Sequence, residues 1–90
     1  MFPHDPYLAK GIEYLVAVGF LLLFAGSYLV MAALATKSFS QPLNHTDALY
    51  FTVTVFSTVG FGDITPTTDA ARLVVTGQMI ADLVIIGIAV

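Results

Sequence analysis

Two long apolar stretches with a shorter one between them organise this chain. No residue from Tyr14 to Thr36 is charged, and a helix needs about 20 such residues to cross roughly 30 Å of hydrocarbon. The pattern predicts a membrane-spanning helix over about 11–36. Ala48 to Gly62 is also uncharged but too short to span, which suits an element that enters the membrane and turns back. After the polar stretch "ITPTTD", Leu73 to Val90 is apolar apart from Thr76, Gln78 and Asp82. A helix there, over about 68–90, would extend about 33 Å from Asp69 to Val90 at ~1.5 Å per residue. The order is span, half-crossing, span.

Polar residues punctuate these runs. The linker "KSFSQPLNHT" carries Pro42 and leaves the hydrocarbon. Thr46 is placed to cap a short helix over about 46–57, with Asp47 favourable in its first turn. Asn44-His45-Thr46 also spells a glycosylation acceptor, a triplet common by chance, and His45 reads as a solvated linker residue. Thr67 or Thr68 would cap the last helix, with Asp69 in its first turn. The head, Met1 to Tyr7, has Pro3 and Pro6 around His4 and Asp5 and suggests an irregular lead-in. Gly19, Ala25, Gly26 and Ala32 to Ala33 would let another helix approach the first span closely. Ala33-Leu34-Ala35 imitates a signal-peptidase site. The apolar run ahead of it exceeds the roughly 7–15 residues of a signal core, and Asp5 and Glu13 replace the positive flank, so an uncleaved span is expected.

Composition supports a membrane as solvent. The chain is 58% hydrophobic and 10% charged, with mean hydropathy +0.91, whereas a small soluble domain carries about a quarter charged residues. Ninety residues make one domain. The absence of cysteine removes disulfides and thiolate metal sites. A net charge of −3, with Lys10, Lys37 and Arg72 as the cations, offers no nucleic-acid surface.

The stretch "TVGFGD", Thr58 to Asp63, closes the half-crossing. Two alternate glycines would weaken a strand or a helix. Non-helical backbone at membrane depth survives where protein surrounds it or where it lines a watery path. Gly60 and Gly62 permit φ > 0, so successive residues can alternate in hand and aim successive carbonyls to one side. A column of oxygens without ladder partners results.

Thr58-Val59-Gly60-Phe61-Gly62-Asp63 resembles the selectivity-filter signature of tetrameric potassium channels, usually T-V-G-Y-G-D. The likeness runs from Asp47 through "ALYFTVTVFSTVGFGDITP" into the last helix, and the two-span arrangement extends it over nearly the whole chain. The resemblance implies an all-α membrane protein: two transmembrane helices flank a re-entrant pore helix and an extended filter, 58–63, in a tetramer. It implies that the carbonyls of Thr58, Val59, Gly60 and Phe61, with the Thr58 hydroxyl, replace the hydration shell of K⁺, and that Gly62 completes the lining. One strand presents oxygens from a single side, so three further copies of the chain are needed as partners within the bilayer. The permeant K⁺ ions are the cofactors implied, with no organic cofactor.

Two departures bear on the site. Phe61 stands where tyrosine is usual, removing a hydroxyl that would tie the filter to its surroundings. Tyr50 stands where the family has an aromatic that bonds the filter aspartate; a Tyr50–Asp63 bond at the outer mouth and an interfacial anchor are both open. Thr54 stands where some relatives carry a buried glutamate, so acid-linked closure by that route is not expected. Asp82 is a carboxylate inside a span, which marks a path or a partner. A stripe of Met79, Asp82, Leu83, Ile86 and Val90 would turn it to a central cavity, where it would concentrate cations; alternatively it packs behind the stripe against Gln78, Thr52 or Thr54.

The function expected is passive K⁺ conduction, with a less selective cation channel or a non-conducting assembly subunit as alternatives. Transporters with such loops need several repeats in one chain. Enzyme chemistry has no candidate, because neither histidine nor the hydroxyls near Thr58 has a catalytic partner. No arginine-rich helix senses voltage, and the end at Val90 without a polar flank suggests a pore module cut from a longer chain. Gly77 and Gly87 offer bends in the last helix. Both termini share a side, which Lys10 assigns to the cytoplasm of a plasma-membrane protein.

Overall fold

The structure, a computed structural model, describes residues 6–89, and in it the chain folds as three helices: α1 (Pro6–Leu34), α2 (His45–Phe56) and α3 (Asp69–Ala89). Residues 1–5 of the expected lead-in, and Val90 of the α3 stripe, lie outside the described residues. The long dimension of 48 Å matches a bilayer with its headgroups, about 40–45 Å. Both α1 and α3 are long and apolar enough to cross. Their aliphatic hydroxyls bond within the helix: Ser27 Oγ donates to the Leu23 carbonyl (2.8 Å) and Thr76 Oγ1 to that of Arg72 (2.7 Å), as a hydrocarbon environment favours.

Helix α1 begins earlier than about 11. Proline is tolerated in a first turn, where its missing N–H has no helical partner, and Lys10 pairs with Glu13 at 3.3 Å along the early turns. Helix α2 is capped by Asn44 rather than Thr46. The Asn44 side chain accepts from Asp47 N (2.7 Å), and the Asp47 carboxylate accepts from Asn44 N (3.2 Å), a reciprocal capping box. Sequence reasoning placed Asp47 in the first turn but missed that it bonds back to a residue three positions earlier. Asn44→Ala is expected to lower stability by about 1 kcal/mol, measured as the thermal midpoint of the detergent-solubilised protein. Thr68 caps α3, accepting from Ala71 N at 3.2 Å.

The buried positions follow helical spacing. On α1 they are Ala25, Tyr28 and Ala32, and on α3 Ala71, Val75, Gln78 and Asp82. Of the small residues expected at a helix contact, Ala25 and Ala32 are there. Gly19, Gly26 and Ala33 lie on the exposed face of the single chain, about 140–180° around the helix from Tyr28 at roughly 100° per residue. The core is aromatic. Tyr28, Phe39 and Phe51 meet edge-to-face in all three pairings, with ring centroids 5.3–5.7 Å apart.

Phe39 reaches that core because the linker is not free. Residues 38–40 and 65–67 form a short antiparallel ribbon: Ser40 N donates to Thr65 O and Thr67 N to Ser38 O, both at 2.8 Å. Thr67 Oγ1 also donates to the Lys37 carbonyl. The chain returning from the half-crossing is thereby fastened to the end of α1.

Candidate functional site

Twelve residues of α2 rise about 18 Å, too little to cross, so the chain turns back at membrane depth. The turn is built from the helix's own terminal carbonyls. Ser57 N donates to Val53 O (2.9 Å), Thr58 N to Val55 O (3.1 Å) and Gly60 N to Thr54 O (3.2 Å). These bonds satisfy orphan carbonyls of the last turn and press the extended segment against α2. Among the described residues, no carbonyl of Thr58, Val59, Gly60 or Phe61 accepts a hydrogen bond.

The backbone alternates in hand: φ is 64° at Thr58, 51° at Gly60 and 83° at Gly62. The two glycines occupy the left-handed region without penalty. Thr58 does so at about 1–3 kcal/mol for a non-glycine residue, and nothing in its residue type signalled this.

At the far end of the segment, Tyr50 Oη donates to Asp63 Oδ2 at 3.0 Å, and the Tyr50 and Phe61 rings lie nearly parallel, 8° apart with centroids at 6.4 Å. The phenol is held above its ordinary range, first by desolvation and then by the hydrogen bond and charge of Asp63. Ser40 Oγ donates to the Asp63 carbonyl (3.4 Å) and accepts from Thr65 N (3.0 Å). Sequence reasoning missed Ser40, which becomes visible once the ribbon places 38–40 beside 63–67.

A hollow of about 320 Å³ lies on one side of the segment, lined by Thr54, Thr58, Gly60, Met79, Asp82 and Leu83. A groove of about 410 Å³, lined by Leu49, Tyr50, Val53, Val59 and Phe61 among others, lies against α2. Asp82 itself is not on the exposed stripe with Met79, Leu83 and Ile86. It is 2% exposed and belongs to the buried face of Ala71, Val75 and Gln78, because positions 71, 75, 78 and 82 superpose to within about 60° around a helix. Of the two placements expected for Asp82, packing against Gln78 is the one its hydrogen bond shows, while its edge also borders the hollow beside Thr58 and Gly60. Gln78 Nε2 donates to Asp82 Oδ2 (3.3 Å) and to the Thr52 carbonyl (3.0 Å), while Tyr28 Oη donates to Gln78 Oε1 (2.6 Å). All three helices meet at that amide.

A span, a half-crossing helix that returns through backbone of alternating hand, and a second span define the pore domain of a membrane channel. The model of the ion channel family matches residues 15–90, and the chain belongs to that family. It is an integral membrane protein. Among curated proteins it is 36% identical over 73 residues to a two pore potassium channel b from Oryza sativa subsp. japonica, covering 81% of this chain and 20% of that protein. It is 56% identical over 32 residues to a hyperpolarization-activated voltage-gated potassium channel from Methanocaldococcus jannaschii, covering 36% of this chain and 15% of that protein. The chain therefore spans a fifth or less of these relatives. No solved structure matches.

Proposed function

We propose that this chain forms the pore of a potassium-selective channel, with Thr58, Val59, Gly60, Phe61 and Gly62 lining the path and Tyr50 and Asp63 supporting its outer mouth. The observation that carries the reading is the alternation of positive φ at residues 58, 60 and 62 in a segment whose carbonyls at 58–61 have no hydrogen-bond donor among the described residues. An ion stripped of water needs oxygens on every side, so four copies surround the axis as a homotetramer. The groove bordered by exposed Val53, Val59 and Phe61 and the exposed Met79, Leu83 and Ile86 supply apolar surface for neighbouring copies. The potassium channels among its relatives support K⁺ as the ion. A plasma-membrane location with both termini cytoplasmic follows from two crossings and Lys10. No organic cofactor or nucleic acid takes part.

The experiment is ion flux into liposomes holding the purified protein, with Ba²⁺ as blocker and opposing K⁺ and Na⁺ gradients. Ba²⁺-sensitive flux that strongly prefers K⁺ supports the reading. Equal Na⁺ flux supports a less selective cation channel, and a protein that assembles without carrying current supports an assembly subunit. Tyr50→Phe removes the donor to Asp63 and leaves the ring stacked on Phe61. The expected result is a several-fold loss of K⁺ preference over Na⁺ in the same assay, with protein yield unchanged.

A further inference from the structure

Gln78 is fully buried, and its amide has no spare group pointing at a protein partner. Both N–H bonds are spent, one on the Thr52 carbonyl and one on Asp82 Oδ2, and Oε1 accepts from Tyr28. The orientation of this amide is decided by chemistry rather than by shape. A backbone carbonyl accepts and never donates, so a flipped amide would set oxygen against the oxygen of Thr52. Asp82 Oδ2 reinforces the same orientation. Its other oxygen, Oδ1, is enclosed and has no hydrogen-bond partner among the described residues, so the carboxyl group's hydrogen bond is the one from Gln78.

Thr52 precedes by two residues the Thr54 carbonyl that receives Gly60 N–H. A continuous chain of bonds therefore runs from α1 through Gln78 to the rear of α2 and on to the extended segment. We propose that Gln78 and Asp82 are positioning residues for the conducting segment: Asp82 orients the Gln78 amide, and Gln78 holds α2, and with it Gly60, at a set height against α1 and α3. On this view Asp82 acts as a hydrogen-bond acceptor and not as a charge that attracts ions. The proposal rests on the channel reading for its effect on ions but not for its effect on helix packing.

The acceptor and charge roles separate by substitution. Asp82→Asn keeps an acceptor toward Gln78 and removes the charge, whereas Asp82→Leu removes both. Gln78→Glu keeps the shape but puts a second oxygen against Thr52 and Asp82. The thermal midpoint of the detergent-solubilised protein and the K⁺-to-Na⁺ flux ratio in liposomes are measured for wild type and each variant. The proposal expects Asp82→Asn to stay near wild type in both, and Asp82→Leu and Gln78→Glu to lower the midpoint and cut the flux ratio at least tenfold. A residue that merely fills space would change the amount of folded protein and leave the flux ratio of the surviving channels intact. A loss of flux in Asp82→Asn equal to that in Asp82→Leu overturns the proposal in favour of a charge role, and an unaffected Gln78→Glu overturns it outright. If wild type shows no K⁺ preference, the channel reading fails; the midpoints still decide whether Asp82 orients Gln78, and three equal midpoints would overturn that as well.

Discussion

Gly60→Ala is expected to reduce K⁺ flux by about a hundredfold or more while leaving the protein helical and membrane-inserted. An added Cβ at Gly60 meets nothing within 4 Å in the single chain, so crowding is not the cause. The cause is the φ of +51°, which costs an L-residue with a side chain about 1–2 kcal/mol. In a tetramer the same strain would fall on four adjacent strands, about 4–8 kcal/mol together. At about 1.4 kcal/mol per factor of ten, even part of that sum is enough to favour rotation of the peptide planes out of the conducting arrangement. Gly77→Ala is the matching control: it too meets nothing within 4 Å, but it lies in α3 with no positive φ, where alanine is the better helix former. Flux of Gly60→Ala within a few-fold of wild type, beside an unchanged Gly77→Ala, would contradict the role assigned to the alternating backbone.

Tyr28 carries the second large effect, on stability. It is fully buried, touches Phe39 and Phe51 edge-to-face, and donates the 2.6 Å bond to Gln78. Tyr28→Phe keeps the ring and strands the Gln78 oxygen, a loss of about 1–3 kcal/mol for a buried acceptor left unmade. Tyr28→Ala adds a cavity where three rings met, about 3–5 kcal/mol in all. Lipid tails are as apolar as side chains, so the hydrophobic term between helices is small and this packing and bonding provide much of the tertiary stability. Thermal midpoints in detergent should rank wild type above Tyr28→Phe and Tyr28→Phe well above Tyr28→Ala. Equal midpoints for wild type and Tyr28→Phe would show that the Gln78 oxygen finds as good a donor elsewhere, and would contradict the stability role assigned to the bond.

Sequence reasoning was strongest where the cause is local. Uninterrupted apolar runs and the length of a hydrocarbon layer suffice for two spans and a half-crossing, because no neighbour can alter how many residues cross 30 Å. Glycine at 60 and 62 announces positive φ without reference to anything outside the segment. The Tyr50–Asp63 contact was legible as one of two possibilities, and only through the resemblance, which places an aromatic at residue 50 against the aspartate at 63. Asn44 was missed because cap identity depends on a backbone turn that three polar candidates could each have made.

The remaining features belong to the tertiary structure because they depend on which face of one element meets another. Periodicity arranges α3 into stripes but does not say which stripe is inside. Asp82 was open either to the stripe of Met79 and Leu83 or to packing against Gln78; it lies buried with Ala71, Val75 and Gln78, at the edge of the hollow, since the aromatic core and the Thr52 carbonyl claim that face. The ribbon between 38–40 and 65–67 joins segments with weak strand patterning, and it exists because the ends of two helices bring them side by side. Thr58 at φ 64° is held by its own bond to the Val55 carbonyl and by that of Gly60 to the Thr54 carbonyl, a constraint that arises once α2 has ended where it does. Chain chemistry determined the solvent, the crossings and the backbone's freedom to alternate; the packing of three helices decided which polar groups share the interior, because hydrogen-bond partners distant in sequence become neighbours through the fold.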